Sequence, residues 1–104
     1  MVQIYGISPN GGPITQISFN QFPVVGPLNI SPDDKYIAYI ADHSVFITDI
    51  QTHKSERLTP RDDTKTSPFG AAIWSNDGKS IAFNRKTEQE GKQNIQIFLL
   101  TKNE

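Results

Sequence analysis

The chain contains no cysteine, and this absence excludes several kinds of chemistry. Without cysteine there is no disulfide, no thiol nucleophile and no thiolate ligand for a metal ion. The cysteine count therefore leaves the redox state of the compartment undetermined.

Long apolar runs are absent as well. The longest uninterrupted run is only a few residues, and the opening MVQIYGISPNGG lacks the basic and apolar regions of a secretory signal. We predict no membrane insertion and no targeting signal within these residues, and composition leaves the cellular location unknown.

The sequence has almost no charge excess of either sign. Ten Lys and Arg residues stand against eleven Asp and Glu residues, which gives a net charge of -1. Such a balance creates no large field to attract phosphate backbones, so we predict no nucleic-acid partner. Hydrophobic residues make up 36% of the chain and charged residues 20%, which indicates one folded domain over residues 1–104.

One stretch of the sequence occurs twice. SPDDKYIAYI at 31–40 returns as SNDGKSIAFN at 75–84, and each copy precedes a polar stretch and a β-rich run. Residues 4–18 and 45–59 share a second, weaker similarity at a comparable spacing. A repeat of about 40 residues, built from short strands, is typical of a β-propeller blade.

We predict an all-β fold of antiparallel four-stranded sheets, stacked as blades of a partial β-propeller with a little over two blades. Residues 1–18 would end one blade, 22–59 would form a complete blade, and 69–104 would form a blade without its last strand. Prolines interrupt nearly every connection, and no apolar pattern has the helical period. The predicted strands are 3–7, 14–17, 24–30, 36–40, 45–50, 55–58, 71–74, 80–83 and 95–100.

The second strand of the middle unit is apolar on both sides. Tyr36, Ala38 and Ile40 point one way, while Ile37 and Tyr39 point the other way. A sheet that is apolar on both faces must lie between two others, as stacked blades do. The matching strand of the third unit is more polar, which predicts a less completely covered sheet.

The repeated segments 31–35 and 75–79 are predicted to be turns. Asp and Asn side chains accept hydrogen bonds from amides two residues on, and a positive φ suits Gly78, or Asp34 at some cost. A ligand-binding role for these acidic and hydroxyl groups is the less favoured alternative.

SPDDKYIAYI, WSNDGKSIAF and the trailing ERLT resemble the repeats of TolB-like, or WD-repeat-like, β-propellers. Those blades carry a Ser-Pro-Asp-Gly-Lys turn, an Ile-Ala-Phe second strand and a closing Arg-Leu-Thr. The resemblance covers residues 3–100, and it departs from the pattern at Asp34, where glycine is usual, and at Asn76, where proline is usual. It implies a fragment of a larger, bacterial propeller protein.

The resemblance leaves two functions open. Such blades occur in TolB, a periplasmic protein-interaction component, and they also occur in gating propellers of prolyl oligopeptidase-like serine peptidases and in propeller polysaccharide lyases. We predict a non-catalytic protein-interaction module, and the alternative is a slice of one of these enzymes. A Gly-x-Ser-x-Gly elbow and converging metal ligands, which such enzymes need, are absent from these residues. A periplasmic location is suggested by the resemblance to TolB alone.

Candidate binding residues lie in loops that propellers place on one face of the disk. Here these loops are 20–26 and 60–70, which precede first strands, and 41–44 and 85–94, which link second to third strands. Charge concentrates in them, and loop solvation is the competing explanation. The possible partner-binding residues are His43, Arg61, Asp62, Asp63, Lys65, Arg85 and Lys86.

No catalytic, cofactor-binding or metal-binding residue is predicted. Adjacent residues of the Asp42-His43-Ser44 turn cannot converge on one reacting atom, so they do not form a hydrolytic triad. His53 falls in a turn on the opposite face from His43, and the Asp62-Asp63 pair lacks the spacing of a calcium loop. Trp74 is expected to pack in the core, with a ligand-stacking platform as the alternative.

The partial ring has a consequence for association. Its terminal sheets would expose apolar faces and unpaired strand edges. We therefore predict self-association through exposed blade edges, in addition to the protein or peptide partner expected at the loops.

Overall fold

The structure is a computed structural model that describes residues 5–6, 15–16 and 24–101. Within these residues β-strands, joined by turns and loops, are the only regular secondary structure. They pair antiparallel in sheets of two, four and three strands, and the strand order in each sheet is the order in the chain. The all-β class and the antiparallel sheets are confirmed, and none of the described residues forms a helix that could cross a bilayer. The strands are β1 (Tyr5–Gly6), β2 (Thr15–Gln16), β3 (Val24–Ile30), β4 (Tyr36–Ala41), β5 (Ser44–Asp49), β6 (Ser55–Arg57), β7 (Pro68–Trp74), β8 (Ser80–Gln89) and β9 (Lys92–Thr101).

The two predicted turns have the same hydrogen bonds. The Ser31 hydroxyl donates to Asp33 Oδ1 at 2.6 Å and accepts from the amide of Tyr36 at 3.0 Å. The Asp33 carboxylate also accepts from the amide of Lys35 at 3.1 Å. The three equivalent bonds recur in the turn at 75–80, at 2.5, 3.0 and 3.0 Å. Each turn therefore closes on its own side chains and joins the first and second strands of its unit.

The first strand of each unit bends at the same place. The register of β3 against β4 shifts between Val25 and Asn29, and that of β7 against β8 shifts between Phe69 and Ile73. Gly70 lies within the second irregularity at a φ of 78°, a value that glycine adopts without strain. The two copies of the repeat therefore share this register shift as well as the serine turn.

The second strand of the four-stranded sheet, β4, is buried on both faces, as its sequence predicted. One cluster lies on one face of this sheet, and a second cluster lies between this sheet and the three-stranded sheet. The first contains Ile37, Tyr39, Ala41 and Phe46. The second contains Ala38, Ile40, Val45, Ala72, Ile81 and Phe83.

Trp74 connects the two larger sheets at their inner strands. Its amide donates to Asn29 Oδ1 at 2.8 Å, and its Nε1 donates to the Asn29 carbonyl at 3.1 Å. Its ring centroid lies 6.3 Å from that of Tyr36. Trp74 therefore packs at the interface between sheets, as the sequence indicated.

The third sheet overturns the prediction of a loop at 85–94. β8 and β9 pair over ten consecutive positions without a register shift, and they are joined by Glu90 and Gly91 with φ of 53° and 76°. Arg85 and Lys86 lie on β8 and not in a loop. The prediction was wrong because the charged residues were taken as loop signals, whereas a Glu-Gly pair can form a two-residue turn that continues a hairpin.

The outer face of the third sheet, which points away from the four-stranded sheet, is open. Large apolar side chains on it are substantially accessible: Ile73 is 45% exposed, Ile95 65%, Ile97 73% and Leu99 67%. The incomplete coverage predicted for this sheet is confirmed.

Candidate functional site

The turn between β4 and β5 organises a cluster of charged side chains. Asp42 and His43 have φ of 46° and 59°, and Ala41 pairs with Ser44, so the turn has two residues. The side chain of Ser44 is buried and accepts a hydrogen bond from Arg57 at 2.5 Å. The geometry agrees with the sequence analysis that these adjacent residues are a turn and not a triad.

The carboxylate of Asp42 joins this turn to β6 and to the loop after it. Arg57 Nη2 donates to Asp42 Oδ2 at 2.6 Å, and Arg61 Nε donates to Asp42 Oδ1 at 3.1 Å. The hydrogen bond from Arg57, followed by that from Arg61, holds the pKa of Asp42 below its ordinary value. Asp42 is therefore an anion at neutral pH that holds two guanidinium groups in place.

The loop at 60–67 is fixed by Asp62. Its amide donates to the carbonyl of His43 at 3.1 Å, and its carboxylate accepts from the hydroxyl groups of Thr64 and Thr66. The amide of Thr64 donates to the same carboxylate at 2.9 Å. These bonds, with that from the Thr64 hydroxyl first, lower the pKa of Asp62 to about 2. The loop is thus closed by its own threonines and attached to the β4–β5 turn.

Arg85 brings the third sheet to the same cluster. Its Nη1 lies 3.5 Å from Asp62 Oδ2, and its guanidinium lies over the rings of Phe83 and Phe98 at 5.5 and 5.6 Å. Because Asp62 follows the four-stranded sheet and Arg85 belongs to β8, this ion pair links the two sheets. The aromatic rings hold the guanidinium in position.

We call this surface the charged loop end. It carries four cationic and three acidic side chains, so its local charge is positive although the whole chain is nearly neutral. Its residues are Asp42, Arg57, Arg61, Asp62, Asp63, Lys65 and Arg85. Lys86 follows Arg85 on β8 but lies on the opposite face of that strand.

Most of the predicted partner-binding residues meet at this end. Arg61 contacts Asp63 at 3.2 Å in addition to Asp42, and His43 Nδ1 lies 3.3 Å from the Ser67 hydroxyl. With Asp62 and Arg85 described above, five of the seven predicted residues are therefore joined to one another or to the same loop.

The two predicted lysines are arranged differently. Lys86 pairs with Ile95 and therefore lies on the outer face of the third sheet, where its Nζ is 5.6 Å from the centroid of the Phe69 ring. Lys65 is exposed, and it makes no hydrogen bond or ion pair with the side chains that the structure describes. These two cations are thus the ones that the ion-pair network does not occupy.

Sequence reasoning missed Asp42 and Arg57 as members of the cluster. Asp42 was considered only as a triad residue, and Arg57 was part of a closing strand. Arg57 pairs with Phe46 across the β5–β6 ladder, and its guanidinium lies 4.8 Å from that ring. Only the register of this ladder shows that Arg57 reaches the β4–β5 turn.

The described residues give no indication of a metal centre. His43 and His53 lie in turns at opposite ends of β5, as predicted. In the part of the chain that the structure describes, no three His, Cys, Asp or Glu side chains are grouped so that they could hold a metal ion.

A cleft of about 460 Å³ lies at the other end of the two larger sheets, beside the serine turns. Leu58 and Leu100 line it from opposite sheets, and Glu56 and Lys79 contribute charges. The cleft shows that the two sheets separate toward their outer strands. Its lining residues are Ser31, Asp33, Tyr36, Ile47, Glu56, Leu58, Trp74, Gly78, Lys79, Ile81, Leu100 and Thr101.

Comparison with known protein sequences gives one distant relative and no family. No protein-family model matches the chain. The chain is 26% identical over 83 residues to the uncharacterized protein YidR of Escherichia coli, a match that covers 80% of this chain and 20% of YidR.

A solved structure is similar to the whole fold. TolB from Acinetobacter baumannii matches 95% of this chain with a TM-score of 0.62 and 21% sequence identity. The fold is therefore that of a TolB-like β-propeller, as the repeats predicted. This chain covers 26% of that TolB chain, so it spans about a quarter of TolB and about a fifth of YidR.

Proposed function

We propose that this chain is a non-catalytic protein-interaction module of a larger TolB-like β-propeller, and that its charged loop end binds an acidic segment of a partner protein. The observation that carries the proposal is the network of ion pairs among Asp42, Arg57, Arg61, Asp62 and Arg85. This network fixes a turn, a loop and a strand from two sheets into one surface. A surface that is ordered before binding loses less conformational entropy when a partner docks.

The charges of this surface support an acidic partner. The network engages three guanidinium groups, whereas Lys65 and Lys86 are both exposed and have no carboxylate partner among the side chains that the structure describes. Complementary charge raises the association rate and orients the partner. Lys65 is therefore the side chain from which we expect the largest contribution to binding, and Lys86, on the opposite face of β8 from Arg85, should contribute less.

The state of the carboxylates supports a non-catalytic role. Hydrogen bonds lower the pKa of Asp42 and of Asp62, and Asp63 pairs with Arg61 at 3.2 Å. A carboxylate that stays ionised far below neutral pH is a poor general acid and a weak base. These groups are suited to holding the surface in shape.

Selection of peptides would test this proposal. The chain would be immobilised and a phage-displayed library of random peptides selected against it. We expect enriched peptides to be acidic and their affinity to fall about tenfold when salt is raised from 50 to 200 mM, since the contacts are electrostatic.

Charge-reversal variants would locate the binding site. Lys65→Glu should weaken binding of a selected peptide, and Lys86→Glu should weaken it less, because Lys86 lies on the opposite face of β8 from Arg85. The matched controls are Lys35→Glu and Lys79→Glu, because these exposed lysines belong to the serine turns at the opposite end. Equal losses at the two ends, or selected peptides without acidic residues, would contradict the proposal.

A further inference from the structure

The hairpin of β8 and β9 extends beyond the strand that precedes it. β7 begins at Pro68, which pairs with Arg85, whereas β8 continues through residues 86–89. In the four-stranded sheet the equivalent strands end together, because Val24 pairs with Ala41 at the last position of β4. Residues 86–89 therefore pair with β9 on one side and with no described strand on the side of β7. We call the β7 side of residues 86–89 the ribbon edge.

The turn of the hairpin shows which backbone groups of the ribbon edge are open. The turn at 90–91 has two residues, so Gln89 and Lys92, which flank it, exchange their backbone hydrogen bonds. Because bonded pairs alternate along an antiparallel ladder, the N–H and C=O groups of Lys86 and Glu88 point away from β9. These backbone groups form a short row that no described strand pairs with, and such a row is a template for another strand.

The chain before β7 turns away from the ribbon edge. Pro68 lies opposite Arg85, whose backbone groups point to β9, so the missing N–H of proline leaves no gap in the ladder. The amide of Ser67 donates to the carbonyl of Thr64 at 3.2 Å, and the Ser67 hydroxyl lies 3.3 Å from His43 Nδ1. The loop at 60–67 is thus directed toward the four-stranded sheet and does not cover the ribbon edge.

Cationic side chains lie beside the ribbon edge on both faces of the sheet. Arg85 meets Asp62 on the inner face, which packs against the four-stranded sheet, and the exposed Lys65 belongs to the same loop as Asp62. Lys86 lies on the outer face, where its Nζ is near the Phe69 ring. The side chains of an added strand alternate between the two faces, so acidic residues of a segment bound here meet a cation on either face.

We infer that the acidic segment of the partner binds as an added β-strand on the ribbon edge, with its backbone hydrogen-bonded to Lys86 and Glu88. This inference rests on the proposed function and adds the conformation of the bound segment. In strand addition, main-chain hydrogen bonds give affinity and alternate side chains give specificity. The added strand also gives the protruding ribbon a third strand, and a hairpin of two strands alone is only marginally stable in water.

The spacing of acidic residues in the selected peptides gives a first test. Residues two apart on an extended strand share one face, so we expect acidic residues at alternate positions, facing the loop that carries Lys65. Acidic residues three or four apart, the spacing of one helix face, would contradict an extended segment.

A proline at position 88 tests the backbone contact. Glu88→Pro removes an N–H that points outward and keeps the β8–β9 ladder, since an edge strand tolerates proline where the N–H faces solvent. Glu88→Gln is the matched variant, because it removes the same charge and keeps the N–H. Strand addition predicts that a selected acidic peptide has a dissociation constant about tenfold higher for Glu88→Pro than for Glu88→Gln. Charge attraction alone predicts equal affinity for the two variants.

Amide hydrogen exchange followed by NMR tests the contact in the natural chain. The amides of Thr87 and Gln89 are bonded to β9 before binding, whereas those of Lys86 and Glu88 point outward. The selected peptide should slow exchange at Lys86 and Glu88 by about tenfold or more. The amide of Asn76, in the serine turn at the opposite end, is the control. In Glu88→Pro, continued protection of the Thr87 amide shows that the ladder is intact.

The outcomes separate this inference from the proposed function. Equal affinities of Glu88→Pro and Glu88→Gln, or unchanged exchange at Lys86 and Glu88, for a peptide whose binding Lys65→Glu weakens, would refute the added strand and leave the proposed function intact. Weaker binding to Glu88→Pro of selected peptides that are not acidic would support the added strand and refute the acidic partner.

Discussion

The four-stranded sheet and the three-stranded sheet have the same serine turn and the same irregularity in the first strand, yet equivalent side chains meet opposite surroundings. Val45 pairs with Ile40, and Ile97 pairs with Asn84, which stands where Ile40 stands in the other copy of the repeat. Val45 is completely buried, whereas Ile97 is 73% exposed. The third sheet covers Val45, and no described element covers Ile97. Burial in this fold is therefore given by the adjoining sheet and not by the strand itself.

The two sheets also differ in the hydroxyl groups that they carry at equivalent positions. Tyr39 donates or accepts a 2.5 Å hydrogen bond with Thr48, and the Thr48 hydroxyl lies 2.8 Å from that of Ser55 on β6. In the third sheet the positions of Tyr39 and Thr48 are taken by Phe83 and Leu100. A buried polar group persists only where partners satisfy it. The four-stranded sheet has these partners, and the described strands of the third sheet are apolar there.

The largest difference in stability is expected when a carboxylate replaces the buried side chain in one sheet and its exposed equivalent in the other. Val45→Asp places a carboxylate in the buried cluster between the sheets, and we expect it to lower the free energy of unfolding by about 3 kcal/mol or more. Ile97→Asp at the equivalent exposed position should change it by less than about 0.5 kcal/mol. Urea unfolding followed by the fluorescence of Trp74, the single tryptophan, measures both at low protein concentration. Similar losses for the two variants would show that the third sheet is covered in solution.

Exchanging the hydroxyl group between the sheets should have an intermediate effect. Phe83→Tyr adds a hydroxyl group near Leu100, where no threonine is present, and should cost about 1–3 kcal/mol if the hydroxyl group stays buried. Tyr39→Phe should cost about 1 kcal/mol, because Thr48 and Ser55 remain bonded to each other. Adding Leu100→Thr to Phe83→Tyr supplies the missing partner.

The double variant decides whether the partner explains the difference. A thermodynamic cycle for Phe83→Tyr and Leu100→Thr should show favourable coupling of about 1 kcal/mol. Strict additivity of the two substitutions would mean that positions 83 and 100 do not interact as Tyr39 and Thr48 do in the four-stranded sheet.

A smaller effect is expected at the turns. Asp34 and Gly78 occupy the same position with φ of 60° and 72°. Asp34→Gly should raise the free energy of unfolding by about 0.5 kcal/mol, because relief of the left-handed strain is partly offset by the greater freedom of glycine in the unfolded chain.

Gly78→Asp should lower the free energy of unfolding by a similar amount. A Cβ at Gly78 would lie 3.7 Å from Pro32 Cδ, an ordinary contact, so the backbone angle alone should decide the result. Thermal unfolding measures both substitutions. A larger loss for Gly78→Asp would indicate that the turn of the third sheet tolerates strain less well.

The smallest difference is expected in acid. The hydroxyl groups of Ser31 and Ser75 are the main cause of the lowered pKa of Asp33 and of Asp77. A lowered pKa adds stability above the unfolded value of 3.8, and this stability is lost as the pH falls through the folded value. Asp33→Asn and Asp77→Asn should therefore flatten the decline below pH 4 equally. Unequal slopes in urea unfolding at several pH values would show that the two turns differ.

The strands of the middle unit could be predicted almost completely from the sequence. Alternation of apolar residues and the turn residues around 31–35 and 42–43 locate β3, β4 and β5 within about a residue of their observed ends. Both signals are local, since they depend on hydrogen bonds and side-chain faces of neighbouring residues. The loop predicted at 85–94 failed because the charged residues of a two-stranded ribbon resemble those of a loop when the partner strand is unknown.

The candidate site was predictable only in part. His43, Arg61, Asp62 and Asp63 were identified because they lie in loops, but the role of Arg57 follows from its pairing with Phe46. Ion pairs between residues distant in the chain depend on strand register, which local patterns do not contain. The roles of Lys65 and Lys86 in binding stay a prediction.

The sequence by itself determined the repeating unit: the serine turn, the hairpin and the apolar faces of the second strand, because each arises from contacts within a few residues. Tertiary structure alone decided which copy is covered among the described residues and that Asp62 meets Arg85. The physical reason is that every strand has two faces and two edges. Only the positions of other strands determine which faces are buried and which edges are hydrogen-bonded.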